Sequence, residues 1–302
     1  MRTGLLAAGV LAALAGAAAL GALASRRGVG PFGAGAASPS ARAGVDRSDA
    51  GSVAVRVSRA LRAWAGPAPP AATRRAPVQE ENTPYDGRFK FVRVRYTEGN
   101  LGFGFGYNGE PYWHHDFPRA ETHLAQLLAE LTLVPTHLGP GNILTLDDPE
   151  LFKYPVAYLS EPGHWIPNEK EARSLREYLL KGGFIIFDDF AGERDLENLR
   201  IQMRKVMPDG EWAQLTGSEP IFHSFFDINS LDYRHPYWRR LQSVWYGMFE
   251  GNDPKKRMLA VADYNNDVGE YWEWSGTGFF PVDLSNEAYK FGINYMVYGI
   301  TH

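Results

Sequence analysis

A chain of 302 residues, 44% hydrophobic and 13% aromatic, has enough apolar side chains to build a substantial core. Residues 1–77 hold ten Lys and Arg against two Asp and Glu, a balance of +8, while the rest carries −12, giving −4 in all. The acidic majority excludes a nucleic-acid surface, which needs clustered Lys and Arg, and the absence of cysteine excludes disulfides, thiolate metal sites and a cysteine nucleophile.

In chain order, residues 4–24 are uncharged and consist only of Gly, Ala, Leu and Val, with Ala22-Leu23-Ala24 as a small-x-small cleavage pattern. This predicts a signal peptide or, left uncut, an N-terminal membrane anchor. A buried Ala-rich helix is the third reading. Export would make the protein periplasmic or tie it to the cytoplasmic membrane. Residues 25–83 are rich in Ala, Gly, Pro, Ser and Arg, as expected of a disordered basic linker. Within it, Val53, Val57, Leu61 and Trp64 fall on one helical face and Arg56, Arg59 and Arg62 on the other. Such a stretch, 53–64, could lie on an anionic membrane surface, although a transiently helical linker is the plainer reading. Residues 84–302 are expected to form a single α/β domain.

Within that domain the pattern predicts strands over 89–96, 143–146 and 155–160 and helices over 119–134 and 168–181. Asp148-Pro149 opens a helical turn, Asn168 and Glu171 form a capping box, and Gly182 stops the second helix. Gly183-Phe184-Ile185-Ile186-Phe187-Asp188-Asp189 reads as a strand covered on both faces that ends in two carboxylates. A helix follows over 195–207. Beyond Pro208 the chain turns aromatic, with strands predicted at 211–215, 221–228, 244–250 and 258–264 and a closing helix over 285–300. Strands alternating with helices imply right-handed crossovers and a doubly wound, mainly parallel sheet, with extra strands in the second half.

Ligands collect beyond the carboxyl ends of such strands. Those ends lead to Glu98, to Glu161 and His164, to Asp188 and Asp189, and to Asp267. Converging carboxylates there could bind a hard cation through oxygen, or split into acid and base roles; equally, they could cap helices and turns. The segment 97–118 is Gly-rich, but G-F-G-F-G-Y-N-G matches no phosphate-binding pattern, so it reads as a flap rather than a nucleotide loop. His114-His115-Asp116 closes it. Two adjacent histidines do not both face one ion in extended chain, and Asp116 is most simply a helix N-cap before Pro118. Either histidine remains a candidate general acid or base. No metal-ligand set is assigned by spacing, no cofactor is implied, and Glu270-Tyr271-Trp272-Glu273-Trp274 offers rings that stack on sugars or simply pack.

Val92-Arg93-Val94-Arg95-Tyr96, Asp116-Phe117-Pro118-Arg119-Ala120-Glu121, Gly182 to Asp189 and Asn266-Asp267-Val268-Gly269 resemble the bacterial domain of unknown function numbered 4159. The resemblance covers 89–301. It implies the flavodoxin-type, class I glutamine-amidotransferase-like superfamily, whose amidotransferases place a cysteine on a sharp turn after a strand. This chain has Asp188 where that thiol would stand, so amidotransferase chemistry is excluded. The expectation is an exported envelope-associated domain that binds a small ligand or an envelope protein without catalysis. The alternative is a carboxylate-based hydrolase, with or without a metal, acting on an envelope glycan or peptide. A structural subunit of a membrane complex is a third class.

Overall fold

The computed structural model describes residues 81–98, 110–236, 238 and 240–302. The expected leader, the amphipathic stretch at 53–64 and the glycine run at 99–109 lie outside the described residues. Seven strands form one mixed sheet in the order β2-β1-β3-β4-β7-β6-β5. They are β1 Val92–Val94, β2 Asn142–Leu144, β3 Val156–Ser160, β4 Phe184–Phe190, β5 Trp212–Gln214, β6 Val244–Phe249 and β7 Met258–Tyr264. The β2, β1, β3, β4 and β7 neighbours are parallel, while β6 runs antiparallel to both β7 and β5.

Among the described residues five α-helices connect and cover the strands: α1 Arg119–Leu131, α2 Glu169–Leu180, α3 Glu193–Val206, α4 Val268–Glu273 and α5 Val282–Thr301. Every residue of β4 is buried, because each face has its own cover. Ile185 and Phe187 share a core with Leu175 and Leu179 of α2 and with Leu199 and Met203 of α3. On the other face Phe184 meets Tyr298 of α5 with ring centroids 5.5 Å apart, and Tyr158 meets Trp272 of α4 at 6.1 Å. Gly292 lets α5 approach closely there: a Cβ would lie 2.6 Å from Trp272 and 2.8 Å from Leu124 of α1.

Several local signals act as read. Asp148 accepts from the amide of Glu150 at the start of a 3-10 turn over Pro149–Lys153. Asn168 and Glu171 complete a reciprocal capping box, and Gly182 takes a left-handed φ of 113° just after α2. At the far edge, the Asn82 side chain donates to the Ile143 carbonyl and accepts from its amide, both at 2.8 Å, and so stands in for a missing neighbour of β2.

Two expectations are corrected, and one reading left open is decided for packing. The run 221–228 is no strand: a 3-10 turn spans Pro220–His223, and Asn294 of α5 accepts from the amides of Phe225 and Phe226 and donates to the Phe226 carbonyl. A side chain thus supplies the partners a sheet would have given, while Ile221 and Phe222 are buried as an apolar plug. Asp116 does not cap α1; Pro118 occupies that position, and no side chain caps the helix. The Trp-rich stretch is α4, with Tyr271 and Trp272 buried, so those two rings pack and present no open platform.

Candidate functional site

The strand order turns at β1: the chain passes to β2 on one side and returns to β3 on the other. The segments leaving β1 and β3 are joined just past the strands by a bridge between Glu98 and Trp165, and the crevice beyond the carboxyl ends is where such a sheet takes ligands. Five side chains enter it: His115 and Asp116 from the segment before α1, Glu161 after β3, Asp189 at the end of β4 and Asp267 after β7.

Backbone geometry marks the same place. Among the described residues, five non-glycine positions have left-handed φ, and four of them, Asp116 (66°), Glu161 (49°), Asp189 (60°) and Asn265 (58°), stand at this end of the sheet. Each such conformation costs about 1–3 kcal/mol unless its surroundings enforce it. At Glu161 the enforcement is visible. Its amide donates to the Asp188 carbonyl at 3.0 Å, and the Tyr96 hydroxyl lies 3.0 and 2.9 Å from the carbonyls of Ser160 and Glu161. At Asp189 the β4–β7 register shifts between Phe187 and Phe190, a bulge that re-aims the side chains of the strand end.

The bulge gives the two adjacent aspartates different tasks. Asp188 is buried and accepts from the amides of Val268 (3.0 Å) and Gly269 (2.8 Å) and from the Tyr158 hydroxyl (2.8 Å). It braces the start of α4. Burial pushes its carboxyl up to about 6, held back by those three bonds. Asp189 turns into the crevice, where its Oδ2 lies 2.6 Å from His115 Nδ1. Glu161 Oε1 is 3.4 Å from the same nitrogen, and Asp116 Oδ1 is 3.8 Å from Nε2 of the ring. Gly269 is required by this crowding, since a Cβ there would lie 2.5 Å from the Tyr158 hydroxyl and 3.0 Å from Asp116 Oδ2.

Electrostatics follow from packing several carboxylates around one imidazole. Burial and the neighbouring Asp189 push Glu161 up to about 9. Asp116 and Asp267 are also held well above the usual carboxylate range, by burial first and then by surrounding acids. Burial opposes the charge on His115, but its bond to Asp189 and the acids around it prevail and raise it to about 11. Arg93, fully buried on β1, is committed elsewhere: it pairs with Glu121 of α1 and donates to the carbonyls of Trp113 (3.1 Å) and His115 (2.7 Å). That contact fixes the backbone which presents His115.

His115, Asp116, Glu161, Asp189 and Asp267 are thus brought together, and Asp188 supports them from behind. Asp267 also caps α4, accepting from the amide of Glu270 at 2.8 Å. His164 stands beside the crevice, stacked on Tyr112 with centroids 3.5 Å apart and its Nε2 3.7 Å from Glu161. Glu98 and His114 point elsewhere. Glu98 accepts from the amide of Tyr112, and the His114 ring pairs with Glu110 at 2.9 Å. Sequence reasoning missed Arg93, Tyr158, Glu273 and His235. His235 is buried 3.1 Å from Glu270, and Glu273 is a charge neighbour of both Asp116 and His115. The one available signal was Arg93, a basic residue flanked by two core valines on a strand buried along its length.

The fold and crevice define a mixed α/β domain with a seven-stranded, mostly parallel sheet and an acidic cluster at the strand ends. Residues 90–300 match the model of a domain of unknown function, DUF4159, and the chain belongs to that family. No curated protein matches it.

Proposed function

We propose that this domain binds a positively charged ligand in the crevice at the carboxyl ends of its strands. The observation that carries the reading is the convergence of Asp116, Glu161, Asp189 and Asp267 on the single imidazole of His115. Packing like charges out of water is costly, and the cost is offset when a bound cation spreads its charge among them. The strand order β2-β1-β3-β4-β7 supports a flavodoxin-like, doubly wound core, which places ligands at this end of the sheet. Within the glutamine-amidotransferase-like superfamily the sharp turn would fall at Asp189, with its φ of 60°, one residue later than the sequence suggested. A carboxylate there attracts a cation and is a poor nucleophile.

Thermal melting of the full chain against spermidine, arginine amide, choline and divalent ions tests the proposal. A ligand that binds only the folded state raises the midpoint by mass action. At least one cation should do so, and acetate or phosphate should not. A flat response to every cation contradicts the reading.

One observation favours a second reading, a carboxylate-based hydrolase. Glu161, pushed up to about 9, keeps its proton at neutral pH and lies 3.4 Å from the His115 nitrogen that contacts Asp189, so a proton donor stands beside a second carboxyl, the pairing that carboxylate hydrolases use. Turnover of an envelope glycan or peptide that is lost in Asp189→Asn would establish it. Export through residues 4–24 remains part of the proposal, with an envelope partner or small ligand as the bound species. Among the described residues no helix is long and apolar enough to cross a membrane.

A further inference from the structure

The crevice holds two features that a site for an organic cation does not need. The first is a tight mixed donor set. One ligand atom each from His115, Asp116, Asp189 and Asp267 lies within 4.8 Å of the others. Donors on opposite sides of an ion with bonds of about 2.2 Å are about 4.4 Å apart, so a small contraction closes the set around one ion. The second is Asp116 itself. Its side chain is 0% exposed, and no N–H or hydroxyl among the described residues donates to either carboxyl oxygen; the group that reaches it is a second carboxyl, that of Glu273. A buried carboxylate without a donor is costly. Its Oδ1 faces Nε2 of His115 at 3.8 Å, a separation within the range of two ligands sharing one ion.

We infer that His115, Asp116, Asp189 and Asp267 form a binding site for one divalent transition-metal ion, such as Mn²⁺ or Zn²⁺. This rests on the cation-binding reading of the crevice and names its ligand class. Three carboxylates with one imidazole suit these ions better than Ca²⁺, which takes six to eight oxygens. Asp189 Oδ2 lies 2.6 Å from Nδ1 of His115, so these two already stand side by side as neighbouring ligands of one ion would. The His115 side chain is 37% exposed, which leaves an entry path and room for water ligands. The second acidic group, His235 with Asp267 and Glu270, shares Asp267 with this site, and there the His235 ring lies 3.1 Å from Glu270.

Calorimetric titration of the metal-stripped full chain with MnCl₂, ZnCl₂, MgCl₂ and CaCl₂ tests the assignment. Saturable binding of Mn²⁺ or Zn²⁺ at one ion per chain is expected. Asp116→Asn and Asp189→Asn should each weaken it at least tenfold, while Glu98→Gln and His114→Gln, whose side chains point away, should leave it within threefold. Circular dichroism melts confirm that each variant is folded, and Asp189→Asn decides the matter if Asp116→Asn is not. Absence of saturable binding by the wild-type chain overturns the metal site, as does binding that both aspartate variants retain. Spermidine titrated under the same conditions separates the two levels. If it binds in an Asp189-dependent way and no metal does, the cation crevice stands without its metal; if neither binds, both fall.

Discussion

Replacing Asp188 with Asn removes a charge that accepts from the amides of Val268 and Gly269 and from the Tyr158 hydroxyl. An amide side chain keeps at most part of that pattern, so Asp188→Asn should cost about 1–2 kcal/mol. In a domain of this size that is a fall of about 2–8 °C in the melting midpoint. His123 allows a pH test away from the crevice. Buried on α1, with Nδ1 2.6 Å from the Trp272 carbonyl, it is held down to about 4 by burial, helped by Arg119 and opposed by that bond. An unfolded histidine takes its proton near 6.5, so between these values the unfolded state binds more protons and stability rises with pH. The contribution is complete above about pH 6.5 and is lost as pH falls toward 4, by up to about 3 kcal/mol. Urea midpoints at pH 7 and 4.5 should converge in His123→Asn relative to wild type. An equal drop in both proteins would show that His123 is not the group concerned.

The elements differ in how legible they were. Strand β4 announced itself because Phe184, Ile185, Ile186 and Phe187 are continuous and apolar, as a strand covered on both faces must be. Helix α2 was framed by Asn168, Glu171 and Gly182, residues whose backbone chemistry is local. The 221–228 run misled because its partner, Asn294, lies about 70 positions away; a long-range side-chain contact leaves no local signal. Asn294→Ala should therefore strip both the Phe225 and Phe226 amides at once. The expected result is a loss of about 2–3 kcal/mol and faster proteolysis within 220–228. Proteolysis as slow as wild type would mean that the plug of Ile221 and Phe222 holds this segment unaided. Gly269 at the start of α4 was quoted as part of a motif, but its reason, the approach of Tyr158 and Asp116, exists only in three dimensions.

Across the whole molecule, strand ends were readable and their convergence was only partly so. Glu161, Asp189 and Asp267 come together as the sheet direction requires. Glu98 does not, because its carboxyl is taken by the Tyr112 amide. Asp116 joins the group through a left-handed turn that no spacing rule gives. We propose that the fold reaches slightly further toward the N-terminus than residue 84. Asn82 and Thr83 bond to β2 through Ile143 and Asn142, so a chain starting at Glu81 should melt in one cooperative step, and one starting at Pro84 should melt lower. Equal midpoints would show the Asn82 contacts to be dispensable. For the segment before that limit, N-terminal sequencing of the protein from its host decides the export proposal. Mature protein beginning near Ser25 supports cleavage after Ala24, whereas a soluble species retaining Met1 contradicts export.

The cation-binding crevice proposed above has one property that a merely structural cluster lacks: its carboxyl groups oppose one another when no cation is bound. Neutralising Asp116, which burial and the surrounding acids hold well above the usual carboxylate range, should then cost the ligand-free protein nothing. The decisive measurement is the melting midpoint of Asp116→Asn beside that of wild type, each without ligand and with saturating Mn²⁺ or spermidine. The variant should melt at or above the wild-type midpoint without ligand and should lose the cation-induced rise. A variant destabilised as much as Asp188→Asn, yet still stabilised by the cation, would make Asp116 a brace of the fold and place the binding site elsewhere.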